Sequence, residues 1–139
     1  MIGGLLALIL AATTSSAVSR LVVQPAGVPA SLETATFAMG CFWCAETAFE
    51  TLPGVLSVVS GFTGGPEKNP TYEQVSSGTT GHLESIDIRF DPARVSYARL
   101  LDIFWHSIDP TQGNGQFCDH GSQYRSAIFF QNEAQRRLA

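Results

Sequence analysis

Between residues 34 and 52 the hydrophobic period of the chain changes from two to 3.6. Ala35, Phe37 and Met39 alternate with Thr34, Thr36 and Ala38, the pattern of a strand. The run meets Gly40-Cys41, after which Phe42, Ala45, Phe49 and Leu52 fall at helical spacing until Pro53-Gly54 stops them. A strand that feeds a helix through one glycine commits the chain to packing helix on sheet, because each element has one apolar side to cover. The same switch places Cys41 at the first turn of a helix.

The later elements extend this scheme. Val55 to Phe62 is β-branched and apolar and reads as a strand. Thr63 to Gly81 is rich in Gly, Pro, Asn and Ser, and at nineteen residues is long for a structureless loop, a length usually kept for function. In the strand Leu83 to Phe90, Glu84, Ile86, Ile88 and Phe90 share one face, and Ser85, Asp87 and Arg89 share the other. Asp91-Pro92 turns the chain. Ser96 caps a helix with Tyr97, Leu100, Leu101, Phe104 and Ile108 along one stripe. Asp109 to Gly121 is a second turn-rich loop, holding Cys118 and His120. Tyr124 to Phe130 reads as a strand and Asn132 as the cap of a final helix. That helix stops at Ala139 with neither glycine cap nor breaker, which reads as a domain interrupted at its C-terminal end. Strands and helices mix without strict alternation, so the expected class is α+β, a two-layer sandwich over residues 34–139 with helices mainly on one face.

Composition narrows the function. A length of 139 residues is one domain's worth. A net charge of −4 leaves no basic field for a nucleic-acid backbone. The apolar run Gly3 to Ala12 is too short to span a bilayer and suits the core of a signal peptide. With Ser15-Ser16-Ala17 as a small-residue cleavage site, residues 1–17 read as a leader, although no Lys or Arg precedes the apolar run. Residues 18–33, with Pro25, Gly27 and Pro29, read as a tether. An exported protein follows if the leader is real, a cytoplasmic one otherwise.

Three cysteines are an odd set for a disulfide scaffold. At a helix N-terminus, free amides and the macrodipole favour a thiolate, which suits Cys41 to nucleophilic work. Cys44 lies one turn on, where Cα atoms stand roughly 5–6 Å apart, within disulfide reach. Cys41, Cys44, Cys118 and His120 could alternatively ligate zinc as a Cys3His set. Against zinc, Cys118-x-His120 is tighter than usual and the cysteine pair follows a hydrophobic strand. Glu84, on an apolar face, is expected to hold its proton and donate it, unless it reaches solvent at the strand's edge. A nucleophilic thiol beside a protonated acid suits attack on a centre whose leaving oxygen needs a proton. A general Cys41-Cys44 thiol–disulfide oxidoreductase is the competing enzyme.

Several motifs together resemble one family. Gly40-Cys41-Phe42-Trp43-Cys44, Glu46, Gly61-Phe62-Thr63-Gly64-Gly65 and Asn69-Pro70-Thr71-Tyr72 are similar to those of the methionine sulfoxide reductase A family. So are Gly78 to Glu84, Asp109-Pro110-Thr111 and Gly115 to Ser126, in order and at family spacing. The resemblance implies a ferredoxin-like sandwich around a mixed sheet, and reduction of methionine-S-sulfoxide, free or in proteins. It makes Cys41 the nucleophile that becomes a sulfenic acid and Glu84 the acid that protonates the sulfoxide oxygen. Tyr72 and Tyr124 would hydrogen-bond that oxygen, with Asp119 in their network, and Phe42 and Trp43 would hold the substrate's methyl group. His82 and Arg125 match motif positions as structural supports, while Trp105 and His106 read as helix packing and surface. Many members carry Gly at the position of Cys44 and resolve with cysteines near the C-terminus. Here Cys44 is the favoured resolver, because its geometry is local, and Cys118 the alternative. No bound cofactor or metal is implied; a thioredoxin-like dithiol is the electron donor, and a monomer is expected.

Overall fold

The structure, a computed structural model, describes residues 31–139. The expected leader and all but the last three residues of the expected tether lie outside them. In chain order the elements are β1 (Glu33–Ala38), α1 (Phe42–Phe49), β2 (Val55–Thr63), α2 (Tyr72–Ser76), β3 (Leu83–Phe90) and α3 (Tyr97–His106). A small hairpin, β4 (Gly115–Gln116) and β5 (Asp119–His120), follows, then a 3-10 turn at Ser122–Tyr124, β6 (Ala127–Phe129) and α4 (Glu133–Leu138). β1 starts at Glu33, the last residue of the expected tether. Among the described residues no helix is long and apolar enough to cross a membrane.

The main sheet has the order β2-β3-β1-β6, and every pair in it is antiparallel. This corrects the mixed sheet expected from the resemblance. β1 and β2 are joined through α1 and run the same way, but β3 lies between them, so no parallel neighbours meet. The class is α+β, with helices and an antiparallel sheet.

The core lies on the Glu84 face of β3. Ile86, Ile88 and Phe90 are buried with Ala35 and Phe37 of β1, Phe42, Ala45 and Phe49 of α1, and Leu100, Leu101 and Phe104 of α3. Phe37 is the hub: its ring centroid is 5.9 Å from that of Phe49, 6.1 Å from Tyr97 and 5.1 Å from Phe104. The expected stripe of α3 is buried, although the helix ends at His106 and Ile108 packs from the loop beyond. Ser96 and Asn132 cap α3 and α4 as read, each accepting a backbone N–H three residues on.

Two expectations change. The loop Thr63 to Gly81 is not structureless but carries α2, whose Thr71 and Gln74 form a reciprocal capping box. The strand expected over Tyr124 to Phe130 shrinks to Ala127–Phe129. Its first residue belongs instead to a 3-10 turn, closed by Tyr124 N–H donating to Gly121 O.

Because Phe37 fills the space between three rings at zero exposure, Phe37→Ala should lower unfolding free energy by about 3–5 kcal/mol. Urea unfolding checks this; a loss under about 1 kcal/mol would mean the core does not converge on this ring.

Candidate active site

Gly40 ends the run from β1 at a φ of 94°, and a Cβ there would stand 2.9 Å from Cβ of Gln116. Only glycine both adopts this turn and leaves that room. Cys41 follows as the N-cap of α1, one position before the first turn, with its thiol making no cap hydrogen bond. It is half-buried.

Glu84 is the second residue of β3 and sits opposite Phe62 of β2. Its residue exposure is only 2%, and its Oε2 accepts the Phe42 N–H at 3.1 Å. The first orphan amide of α1 is therefore satisfied by the carboxyl rather than by the thiol. Burial pushes the Glu84 pKa up, the Phe42 amide pulls it down, and the Asp119 carboxylate pushes it up again. The net direction is upward. Glu84 thus does not reach solvent, and the structure brings it to the residue next to Cys41.

Cys44 is exposed on the first turn of α1. Its pKa is raised by burial, by the charge of Cys41 and a hydrogen bond with it, and by Asp119. Cys118 is exposed at the tip of the β4–β5 hairpin, after Phe117, an aromatic residue held at φ 53°. That left-handed conformation costs on the order of 1–3 kcal/mol for a residue with a side chain. Cys41, Cys44, Cys118 and Asp119 line one cleft of about 350 Å³, floored by Ala45 and Gln116. All three thiols are free. Among the described residues no group of three or more His, Cys, Asp or Glu side chains converges to hold a metal ion.

The aromatic candidates form a line across the sheet's end. The Phe42 ring lies 5.8 Å from Trp43 and 5.6 Å from Phe62, and Phe62 lies 6.3 Å from Tyr72. Trp43 and Tyr72 are exposed at the two ends of this line. Tyr124, on the 3-10 turn, has its pKa raised by burial and by the Glu84 carboxyl, lowered by Gln123, and raised again by Tyr72 and Asp119. Tyr124 therefore lies within electrostatic reach of Glu84, Tyr72 and Asp119.

His82 is buried against Gly65, where a Cβ would overlap its ring. Arg125 is exposed and donates to Ser122 O. Trp105 stands edge-on to Phe104, and His106 is exposed. None of these four lines the cleft that holds Cys41.

Three contributors were not legible as site residues. Phe62 joins the aromatic line because it pairs with Glu84 in the sheet; the alternation Ser60, Phe62 was its signal. Gln116 is 1% exposed and clamps Asp109, accepting its N–H at 2.7 Å and donating to its carbonyl at 3.0 Å. Gln123 ties α2 to the Tyr124 turn through a 3.0 Å bond to Ser76 O. Gln116 lies on the two-residue β4 and Gln123 in the 3-10 turn, elements too short to carry a periodic signal.

The sequence profile described as peptide methionine sulfoxide reductase matches residues 33–139. The chain belongs to that family. It is 56% identical over 109 residues to the peptide methionine sulfoxide reductase MsrA of Limosilactobacillus reuteri and 55% identical to that of Listeria innocua. Each match takes in 78% of this chain and 62% of the relative, so the chain spans less than two thirds of their length. Among solved structures it is similar to methionine sulfoxide reductase A of Corynebacterium diphtheriae, at 37% identity and a TM-score of 0.73, over 81% of this chain and 56% of that one. It is also similar to Mxr1 of Saccharomyces cerevisiae in reduced form, at 30% identity and a TM-score of 0.73, over 80% and 66%.

A family member with a buried acid carries a stability signature. The folded state holds the Glu84 proton more tightly than the unfolded chain, so this site favours folding at acid pH. That contribution is lost as pH rises through the raised pKa. Glu84→Gln removes the titration while keeping an acceptor for the Phe42 N–H. Its stability relative to the parent should therefore improve from pH 4 to pH 8, as read by urea unfolding. A difference that is flat, or that falls with pH, would show that Glu84 ionises without cost in the folded protein.

Proposed function

We propose that this chain reduces methionine-S-sulfoxide, free or within proteins, and so repairs oxidised methionine. The observation that carries the reading is Glu84, 2% exposed and hydrogen-bonded to the amide next to Cys41 in a member of this family. An acid held above its ordinary pKa keeps a proton to give, which the sulfoxide oxygen must receive before the S–O bond can break.

In the proposed reaction Cys41 attacks the sulfoxide sulfur while Glu84 protonates the oxygen. The oxygen passes to Cys41 as a sulfenic acid and the thioether leaves, so the substrate sulfur gains the two electrons that Cys41 loses. Tyr72 and Tyr124, with Asp119 behind them, orient the oxygen, and Phe42 and Trp43 receive the methyl group. A second thiol then displaces the sulfenic oxygen as water and closes a disulfide. Cys44 is favoured, since it stands in the first turn of the helix that Cys41 caps and within electrostatic reach of it, whereas Cys118 approaches from the hairpin tip. A thioredoxin-like dithiol donor reduces that disulfide; no bound cofactor is required.

The strand order β2-β3-β1-β6 and the element series β1-α1-β2-β3-α3-β6 support a ferredoxin-like, two-layer sandwich as the fold behind this chemistry. We further read residues 34–139 as the catalytic domain of a monomer, exported when residues 1–17 act as a leader.

Pre-reduced protein should reduce one equivalent of methionine-S-sulfoxide without added donor, and Cys41→Ser should abolish this. Full activity in Cys41→Ser, or reduction of insulin disulfides with no sulfoxide reduction, would overturn the assignment. Glu84→Gln should slow the single-turnover rate by roughly 10²–10⁴-fold with substrate binding retained. Peptide mass mapping after one turnover should find a Cys41–Cys44 disulfide; a Cys41–Cys118 bond would transfer the resolving role to Cys118.

A further inference from the structure

Tyr72 and Tyr124 come from elements that share no strand pairing. Tyr72 rides on the five-residue α2, inside a long loop, and Tyr124 ends a 3-10 turn. The side chain of Gln123 joins them. Its Nε2 donates to Ser76 O at 3.0 Å, across 47 residues of sequence. Ser76 is the last residue of α2, where helical carbonyls run out of partners within the helix.

The surroundings are built around this amide. Gln123 is 6% exposed. Gly121, at φ 136°, lies so close that a Cβ there would be 2.5 Å from the Gln123 Oε1. Gly78, at φ 71°, turns the chain after α2 with its Cβ position 3.5 Å from the same oxygen. That Oε1 is buried and finds no hydrogen-bond partner among the described residues. A buried amide with an orphan acceptor is costly, so the bond from Nε2 to Ser76 O is kept against the cost of leaving Oε1 bare. The Tyr124 hydroxyl lies within electrostatic reach of the amide, though not in a hydrogen bond of good geometry.

We propose that Gln123 is a positioning residue for the site that receives the sulfoxide oxygen: it ties the end of α2 to the Tyr124 turn and so sets the gap between the Tyr72 and Tyr124 hydroxyls. The inference rests on the sulfoxide-reductase reading of the Cys41 and Glu84 site. Gln123 itself touches no substrate in this scheme; it acts through the two phenols. Misplacing positioned groups by about 1 Å can cost a rate of order 10²-fold, so one lost bond is enough to be measured.

The test is a double-mutant cycle in single-turnover reduction of methionine-S-sulfoxide. Gln123→Met keeps the length and removes the donor. It should lower kcat/KM roughly tenfold or more in the parent, but less than about threefold in a Tyr72→Phe background, where there is no second hydroxyl left to align. Equal losses in both backgrounds would reduce Gln123 to a structural residue and overturn the inference. Gln123→Asn keeps the amide but falls one methylene short of Ser76. It should show the same dependence on background with a smaller loss, and so covers any failure of the methionine variant to fold.

A second readout needs no turnover. In a Tyr97→Phe background only Tyr72 and Tyr124 remain to titrate. Removing the Gln123 amide should then move the Tyr124 phenol upward in an ultraviolet pH titration. A parent that reduces no sulfoxide would sink the functional reading, while the phenol shift would still uphold the tie between Gln123 and Tyr124. A titration unchanged by Gln123→Met, together with additive kinetics, would sink the tie itself.

Discussion

The bond from the Phe42 amide to the Glu84 carboxyl joins two demands that neither partner meets alone. A helix start leaves its first N–H without an internal acceptor. A carboxyl on the apolar face of a central strand leaves an acceptor without water. Gly40 turns the chain so that the two meet at 3.1 Å, and the acid then stands one residue from Cys41. Strand register does the rest. Phe62 pairs with Glu84 and Ser60 with Ile86, so the pairing that buries the acid also brings the Phe62 ring to Phe42. A slip of one residue would turn Glu84 to the other face and take the aromatic line with it.

Electrostatics at the site are a contest that burial wins. The amide favours the ionised form of Glu84; desolvation and the nearby Asp119 oppose it, and the net direction is toward the protonated acid. The same Asp119 bears on Cys44 and Tyr124, so one half-buried carboxyl couples the acid, the phenol and the second thiol. Its position follows from the β4–β5 hairpin, where Gln116 pairs with Asp119 in register while its side chain clamps Asp109. The tip of that hairpin accepts a strained Phe117 in order to turn within two residues.

What was legible in the sequence was what period and punctuation record. Alternation placed Glu84 among Ile86, Ile88 and Phe90, and the burial of that face follows the pattern residue for residue. Gly40, Ser96 and Asn132 marked their turn and caps because each position has a local stereochemical requirement. α2 was hidden because five residues give no periodic stripe; its only mark was Thr71-x-x-Gln74 within a Gly- and Pro-rich stretch. Strand order was hidden for a different reason. Whether β3 lies between β1 and β2 depends on packing across the whole domain, and no local pattern encodes it. Tyr124 misled because a strand-prone aromatic followed a glycine whose geometry starts a 3-10 turn instead.

The buried glutamines were illegible for the most instructive reason. A long amide carries one donor and one acceptor function to wherever loop backbone lacks them, so its place depends on tertiary gaps rather than on sequence neighbours. Gln116 uses both ends on Asp109. Gln135 uses both as well, accepting Gln131 N–H and donating to Thr34 O, which fastens α4 to β1. These two close balanced gaps, and stability accounts for them. Gln123 uses its donor on Ser76 and leaves its acceptor buried and bare, beside the phenol of Tyr124. Backbone satisfaction explains half of that side chain. The other half is a cost at a site where two phenols from unpaired elements meet, and a cost kept at such a place points to alignment rather than to stability.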